Sequence, residues 1–139
     1  MPFLQYIYGS GFKFVPICMG LQDLEISRKI GADLGVALKD VNAVLIASSD
    51  LSHYVHQAVA EELDKLVINA ALSLDENKLN SYVLSRGITT CGYGPVSAIL
   101  VASKMLGATK GELLSYRTSG DVTGDYSAVV GYSSIAIVR

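Results

Sequence analysis

Residues 41–47 are apolar at every position except Asn42 and run directly into Ser48, Ser49 and Asp50. So short a run leaves no room for a helix, and its lack of alternation leaves no face for water. It reads as a central parallel strand buried on both sides. Upstream, residues 12–19 become apolar around Val15, Ile17 and Cys18 and read as another buried strand, although Pro16 suits an edge better than a central position. Between the two, Leu21, Leu24, Ile30, Leu34 and Leu38 recur at helical spacings, which predicts a helix over 21–38 with those side chains on its packed face. Strand, helix and strand form a βαβ unit, whose parallel strands place ligand sites beyond their carboxyl ends. Asp50 and His53 stand at such an end.

The rest of the chain alternates in type. A helix is expected over 57–73, with Val59, Leu63, Leu66, Val67, Ala70 and Leu74 as a buried stripe opposite Glu61, Glu62, Asp64 and Lys65. Ser73 and Glu76 form a capping pattern for a short helix over 75–85, which Gly87 would end in a left-handed conformation. An apolar helix follows over 96–106, with Pro95 suited to its first turn and Gly107 as its stop. Segments 111–117 and 128–138 are β-rich and predict an antiparallel pair at one edge of the sheet. With no repeat or linker, the expectation is a single α/β domain. Its sheet is mainly parallel with helices on both faces, and an antiparallel strand pair closes the chain.

Half the residues are apolar and only 17% are charged, the balance of a chain that buries a core. A net charge of −2 without a basic cluster provides no electrostatic footprint for nucleic acid or for an anionic membrane. The first residues lack the cationic start of a signal peptide, and no apolar run approaches the ~18 residues a membrane span needs. A soluble, cytoplasmic protein is therefore expected. Cys18 and Cys91 stand too far apart in unlike surroundings to suggest a disulfide framework.

Several side chains could carry chemistry. In the segment Ser48-Ser49-Asp50-Leu51-Ser52-His53-Tyr54 a carboxylate and an imidazole lie three residues apart, so Asp50 could hold His53 in one tautomer as a metal ligand or general base. The plainer reading is a capping Asp50 and a locally hydrogen-bonded His53. Cys91 lies in a glycine-rich stretch before a helix, a setting for a nucleophile or a soft metal ligand, or alternatively for a small packed residue. Cys18 reads as packing and His56 as surface. With only two histidines, a site of three imidazoles cannot be assembled. Asp121 and Asp125 could meet a cation, but turn chemistry explains them as well. The serines before Asp50 lack the glycine-flanked elbow of an α/β-hydrolase nucleophile.

Three segments taken together resemble the Memo family: Ser48-Ser49-Asp50-Leu51-Ser52-His53-Tyr54, then Thr90-Cys91-Gly92-Tyr93-Gly94-Pro95, then Thr118-Ser119-Gly120-Asp121-Val122-Thr123-Gly124-Asp125 with Val130-Gly131-Tyr132 behind it. Val15-Pro16-Ile17 and Met19-Gly20 extend the match upstream. The resemblance implies a fold related to class III extradiol dioxygenases and the B component of the AmmeMemoRadiSam system, with a radical-SAM protein and an AMMECR1-type protein as partners. It implies iron or copper binding with redox activity, Cys91 as a metal ligand, and Asp50 and His53 lining the same pocket, with His53 as a further ligand. It also implies that Met1 falls inside the family pattern, so that the family's amino-terminal half, with its other metal-binding histidines, has no counterpart here. Apolar surface left without that half should recruit a packed partner fragment or a second copy of the chain.

Two functions follow as expectations. The first is a Memo-like metal-binding redox or dioxygenase-like domain with an incomplete site. The second is a non-catalytic module that binds a peptide or protein of the radical-SAM system. A cysteine hydrolase built from Cys91, His53 and Asp50 is a third, and it requires those side chains within hydrogen-bond reach.

Overall fold

The computed structural model describes residues 2–139 and is an α/β fold. A short helix α1 (Pro2–Tyr8) precedes α2 (Leu24–Ala37), strand β1 (His53–Val55), α3 (Gln57–Leu72), α4 (Glu76–Arg86) and α5 (Tyr93–Met105). Strand β2 (Lys110–Thr118), the one-turn α6 (Gly120–Thr123) and strand β3 (Val129–Val138) complete the chain. The sheet has the order β1-β3-β2, and both pairings are antiparallel. β2 and β3 run from Lys110 opposite Val138 to Thr118 opposite Gly131, the antiparallel pair expected from the carboxyl-terminal sequence.

The parallel sheet expected from segments 12–19 and 41–47 is absent among the described residues, because neither segment enters a ladder. An apolar run specifies burial, but a strand also needs a neighbouring backbone to take its amides and carbonyls. In 41–47 the chain is extended without that neighbour. Leu45 and Ala47 turn partly inward, while Val44 and Ile46 stand 83% and 62% exposed. Val15 and Ile17 are likewise exposed, and so is Cys18, which was expected to pack. No βαβ unit forms here.

The helices follow their caps closely. Asp23 accepts the Ile26 amide at 3.0 Å at the start of α2, and Asp75 accepts the Lys78 amide at 2.9 Å at the start of α4, two residues beyond the cap expected at Ser73. Gly87 ends α4 in the left-handed conformation at φ 61°. α2 buries Ser27, Gly31 and Gly35 rather than its leucines, because that line of small residues lets it lie directly on α5. The buried centre is built by α3, α4 and α5 with Leu51 and the inner face of the sheet, around Val67, Ile68, Leu79, Val83 and Leu100.

One ionic group ties three helices. Glu76, in the first turn of α4 and almost fully buried, accepts from Arg28 of α2 at 3.1 Å and from Lys104 of α5. Burial alone would raise its carboxyl pKa, but hydrogen bonds from Lys104, the helix backbone and Arg28 outweigh it and hold the value below the ordinary 4.5. A depressed carboxylate contributes stability that is fully present above the unfolded value and is lost as pH falls through the folded one. Glu76→Gln should therefore lower stability at neutral pH by about 1–3 kcal/mol. In urea melts the gap to wild type should close as pH drops below 4.5; a gap constant across that range would contradict this account.

Candidate metal centre

Asp50, His53 and Cys91 converge although they come from two separate segments: one ligand atom from each lies within 4.8 Å of the others. This is the one such group of three among the described residues. His53 Nε2 is 3.8 Å from Asp50 Oδ2. The Cys91 sulfur accepts the Asp50 amide at 3.2 Å and lies 3.9 Å from Ser49 Oγ. Cys91 is exposed, whereas Asp50 and His53 are half-buried, so the group opens to solvent on one side.

The two segments are locked together by short-range chemistry. Ser49 Oγ accepts the Gly92 amide at 2.9 Å, and a side chain at Gly92 would collide with Ser48 O and Ser49. Glycine is thus needed where the turn before α5 meets the end of the 41–50 segment. Gln22 holds the other side of the same turn, donating to Cys91 O and accepting from the Gly94 amide, both at 3.0 Å. The Cys91 sulfur sits just before the amino terminus of the 13-residue α5, where backbone dipoles favour negative charge.

His53 is aimed by Thr89. Its amide donates to Thr89 Oγ1 at 2.7 Å, and its Nδ1 lies 2.7 Å from the Thr89 carbonyl oxygen. A carbonyl only accepts, so Nδ1 carries the hydrogen and the neutral ring presents the lone pair of Nε2 towards Asp50 and Cys91. A histidine that donates its second nitrogen to a backbone carbonyl is the usual arrangement of a metal ligand. The tautomer expected to be set by Asp50 is instead set by Thr89, and the carboxylate stands on the ligand side of the ring. The pairing of β1 with β3 is irregular between His53 and Val55, where Tyr54 stands at φ 58° and 79% exposed.

The other candidates have local duties. His56 caps α3, its Nδ1 accepting the Ala58 amide at 3.3 Å, and is exposed as expected. Asp121 accepts the Thr118 amide, and Asp125 accepts from the Ser127 amide and hydroxyl, so these carboxylates serve turns rather than a shared cation. Thr89, Ser49 and Gln22 were missed from sequence. Thr89 acts largely through its backbone carbonyl, which no side-chain pattern reveals, and only the proximity of Thr89-Thr90 to Cys91 hinted at it.

The donor set fits a transition metal: one thiol sulfur, one imidazole nitrogen and one carboxylate, with a side left open. The buried hydroxyls of Ser52 and Thr90, adjacent in sequence to His53 and Cys91, have no hydrogen-bond partner among the described residues. In metal-free protein near neutral pH, nitrogen NMR of the His53 ring should show the Nδ1–H tautomer as the dominant neutral form. A dominant Nε2–H form would refute the role given to Thr89.

Comparison with known proteins places the chain in a family. A Memo-like protein family model matches residues 1–136. The chain is 48% identical over 141 residues to a MEMO1 family protein of Methanopyrus kandleri, covering 100% of this chain and 50% of that protein. It is 48% identical to a MEMO1 family protein of Methanococcoides burtonii, covering 99% of this chain and 52% of the relative. A Nitrosopumilus maritimus relative of the same description is 42% identical, with 99% and 50% covered. The chain thus spans about half the length of the curated relatives it matches, and on the strength of a match along nearly its whole sequence it belongs to the Memo-like protein family.

Proposed function

We propose that this chain contributes a metal-binding site for iron or copper, in a domain related to the class III extradiol dioxygenases. The single observation that carries the reading is the convergence of Asp50, His53 and Cys91 donors within 4.8 Å. Cys91 would provide a soft thiolate ligand, His53 Nε2 a nitrogen and Asp50 a charge-balancing oxygen. A bound ion would supply redox or Lewis-acid chemistry at its open side. The chain's own residues prepare that role. Thr89 fixes the His53 tautomer, the Asp50 amide points at the sulfur, and Gln22 with Ser49 holds the turn carrying Cys91. Three protein donors with one side open is the pattern of a reactive site, whereas a purely structural site is closed by four.

Titration with Fe²⁺ under anaerobic conditions, or with Cu⁺, should reach one equivalent per chain. Cys91→Ala should weaken binding on the order of 100-fold, since even groups that only support a metal ligand account for 10–100-fold, and Cys18→Ala should leave it unchanged. Equal affinity in Cys91→Ala and wild type would remove the metal reading.

A partner-binding role is supported by a separate observation. Val44 and Ile46 stand exposed, as do Val15 and Ile17 on another segment, and behind the 41–47 segment a cleft of about 620 Å³ separates it from α5 and β3. Well-packed interiors leave few voids larger than a water molecule, so such a cleft beside exposed apolar side chains supports a reading in which another polypeptide packs there. The remaining half of a Memo-length chain is the occupant that best fits the extent of the relatives, with a second copy, or a radical-SAM or AMMECR1-type protein, as alternatives. Alone, the chain should self-associate in a concentration-dependent way in sedimentation velocity, and Val44→Lys with Ile46→Lys should suppress it. A compact monomer at all concentrations would count against the exposed face as a docking surface.

A further inference from the structure

We infer that Asp64, at the middle of α3, is a positioning residue for the Asp50, His53 and Cys91 centre, holding the backbone between two of its donors. The inference rests on the metal reading above and concerns a residue whose charge suggested a solvated helix face. In the structure Asp64 is completely buried. Its Oδ1 accepts the Ser52 amide at 2.8 Å, and its Oδ2 accepts the Tyr116 hydroxyl at 2.8 Å. Ser52 lies between Asp50 and His53, so the first bond acts on the short stretch of backbone that sets the distance between the carboxylate and the imidazole.

The rest of that stretch is tied in the same place. The Leu51 amide donates to Gly131 O, and the Gly131 amide donates to Ser52 O, both at 2.9 Å. A side chain at position 131 would overlap Asp64 Oδ2, so glycine there is what allows the carboxylate to pass β3 and reach Ser52. Tyr116 arrives from β2 as a donor, and burial followed by its hydrogen bond to Asp64 pushes its hydroxyl well above the ordinary tyrosine range, which keeps the proton on the phenol. One carboxylate thus joins α3, the ligand turn and β2, with β3 passing alongside.

No lysine, arginine or histidine pairs with Asp64 among the described residues. Burying a carboxylate without a cation is costly, and an apolar side chain of similar volume usually packs a helix against a sheet at least as stably. What the carboxylate adds is direction, because only an acceptor at that point fixes the Ser52 amide and hence the spacing of Asp50 and His53. Groups that orient metal ligands in this way typically contribute 10–100-fold to metal affinity.

The test uses the whole chain with Co²⁺ as the probe, read by its thiolate-to-metal absorption and its ligand-field bands at saturation. Asp64→Ala should bind Co²⁺ about 10–100-fold more weakly with altered ligand-field bands. Asp64→Asn, which keeps an acceptor for Ser52, should stay close to wild type, and Tyr116→Phe should fall between them. Val83→Ala, a core change on α4 with no hydrogen bond to the turn, should lower stability without moving either readout. In metal-free protein the His53 ring nitrogens should also report a loosened tautomer in Asp64→Ala only. If Asp64→Ala fails to fold, Tyr116→Phe against Asp64→Asn decides the matter, and identical affinities and spectra in those two overturn the role. A folded Asp64→Ala with wild-type affinity and spectrum overturns it alone, leaving the metal site standing. A wild-type protein without a thiolate-to-cobalt band overturns the metal reading and this inference with it.

Discussion

A carboxylate inside an apolar core, without a cation beside it, obliges the surrounding chain to supply hydrogen-bond donors at fixed places. Asp64 meets that condition through the Ser52 amide and the Tyr116 hydroxyl. Because those donors lie on the ligand turn and on β2, satisfying one buried group sets α3 against both. The register of β1 with β3 follows, since Leu51 and Ser52 exchange bonds with Gly131 immediately beside the same carboxylate. The irregularity at Tyr54 falls within that register, next to His53, whose amide and ring are held by Thr89.

Local signals were legible in the sequence where the physics is local. Gly87 and Gly107 mark helix ends because capping involves residues only a few positions apart; Asp23, which caps α2 inside the span expected from residue 21, went unread. The β2–β3 pair was equally visible, since two β-rich segments joined by a glycine-rich turn meet as near neighbours in sequence. The convergence of Asp50, His53 and Cys91 was anticipated on the resemblance and on the apolar run before Asp50. That run demanded burial, yet the pairing it would need lies outside its own residues, so a parallel strand was expected where an unladdered segment stands.

Asp64 shows the opposite failure. On a helical wheel it falls among Val67, Ile68 and Ala71, which are buried, yet its charge groups it with Glu61, Glu62 and Lys65 and so assigns it to water, a ranking by its own polarity and not by its position or partners. Its partners sit 12 and 52 residues away. Thr89 was hidden for a related reason: its decisive atom is a carbonyl that every residue possesses. Gly131 and Gly92 carry the signature of close approach, but what approaches each of them is apparent only in three dimensions.

The exposed apolar segment and the candidate metal centre are not independent features. Val44 and Ile46 lie on the same stretch of backbone that continues through Ser49, the residue whose hydroxyl receives the Gly92 amide, to Asp50, whose amide meets the Cys91 sulfur. A partner covering Val44 and Ile46 would therefore restrain the segment that carries one donor and touches another. Conversely, an ion joining Asp50 and His53 to Cys91 would tie the end of that segment to the turn before α5, a link now made by a few hydrogen bonds. Metal binding and partner docking would then each lower the conformational cost of the other, because both order the same segment. The coupling needs no long pathway, only the short stretch of extended chain between Val44 and Asp50.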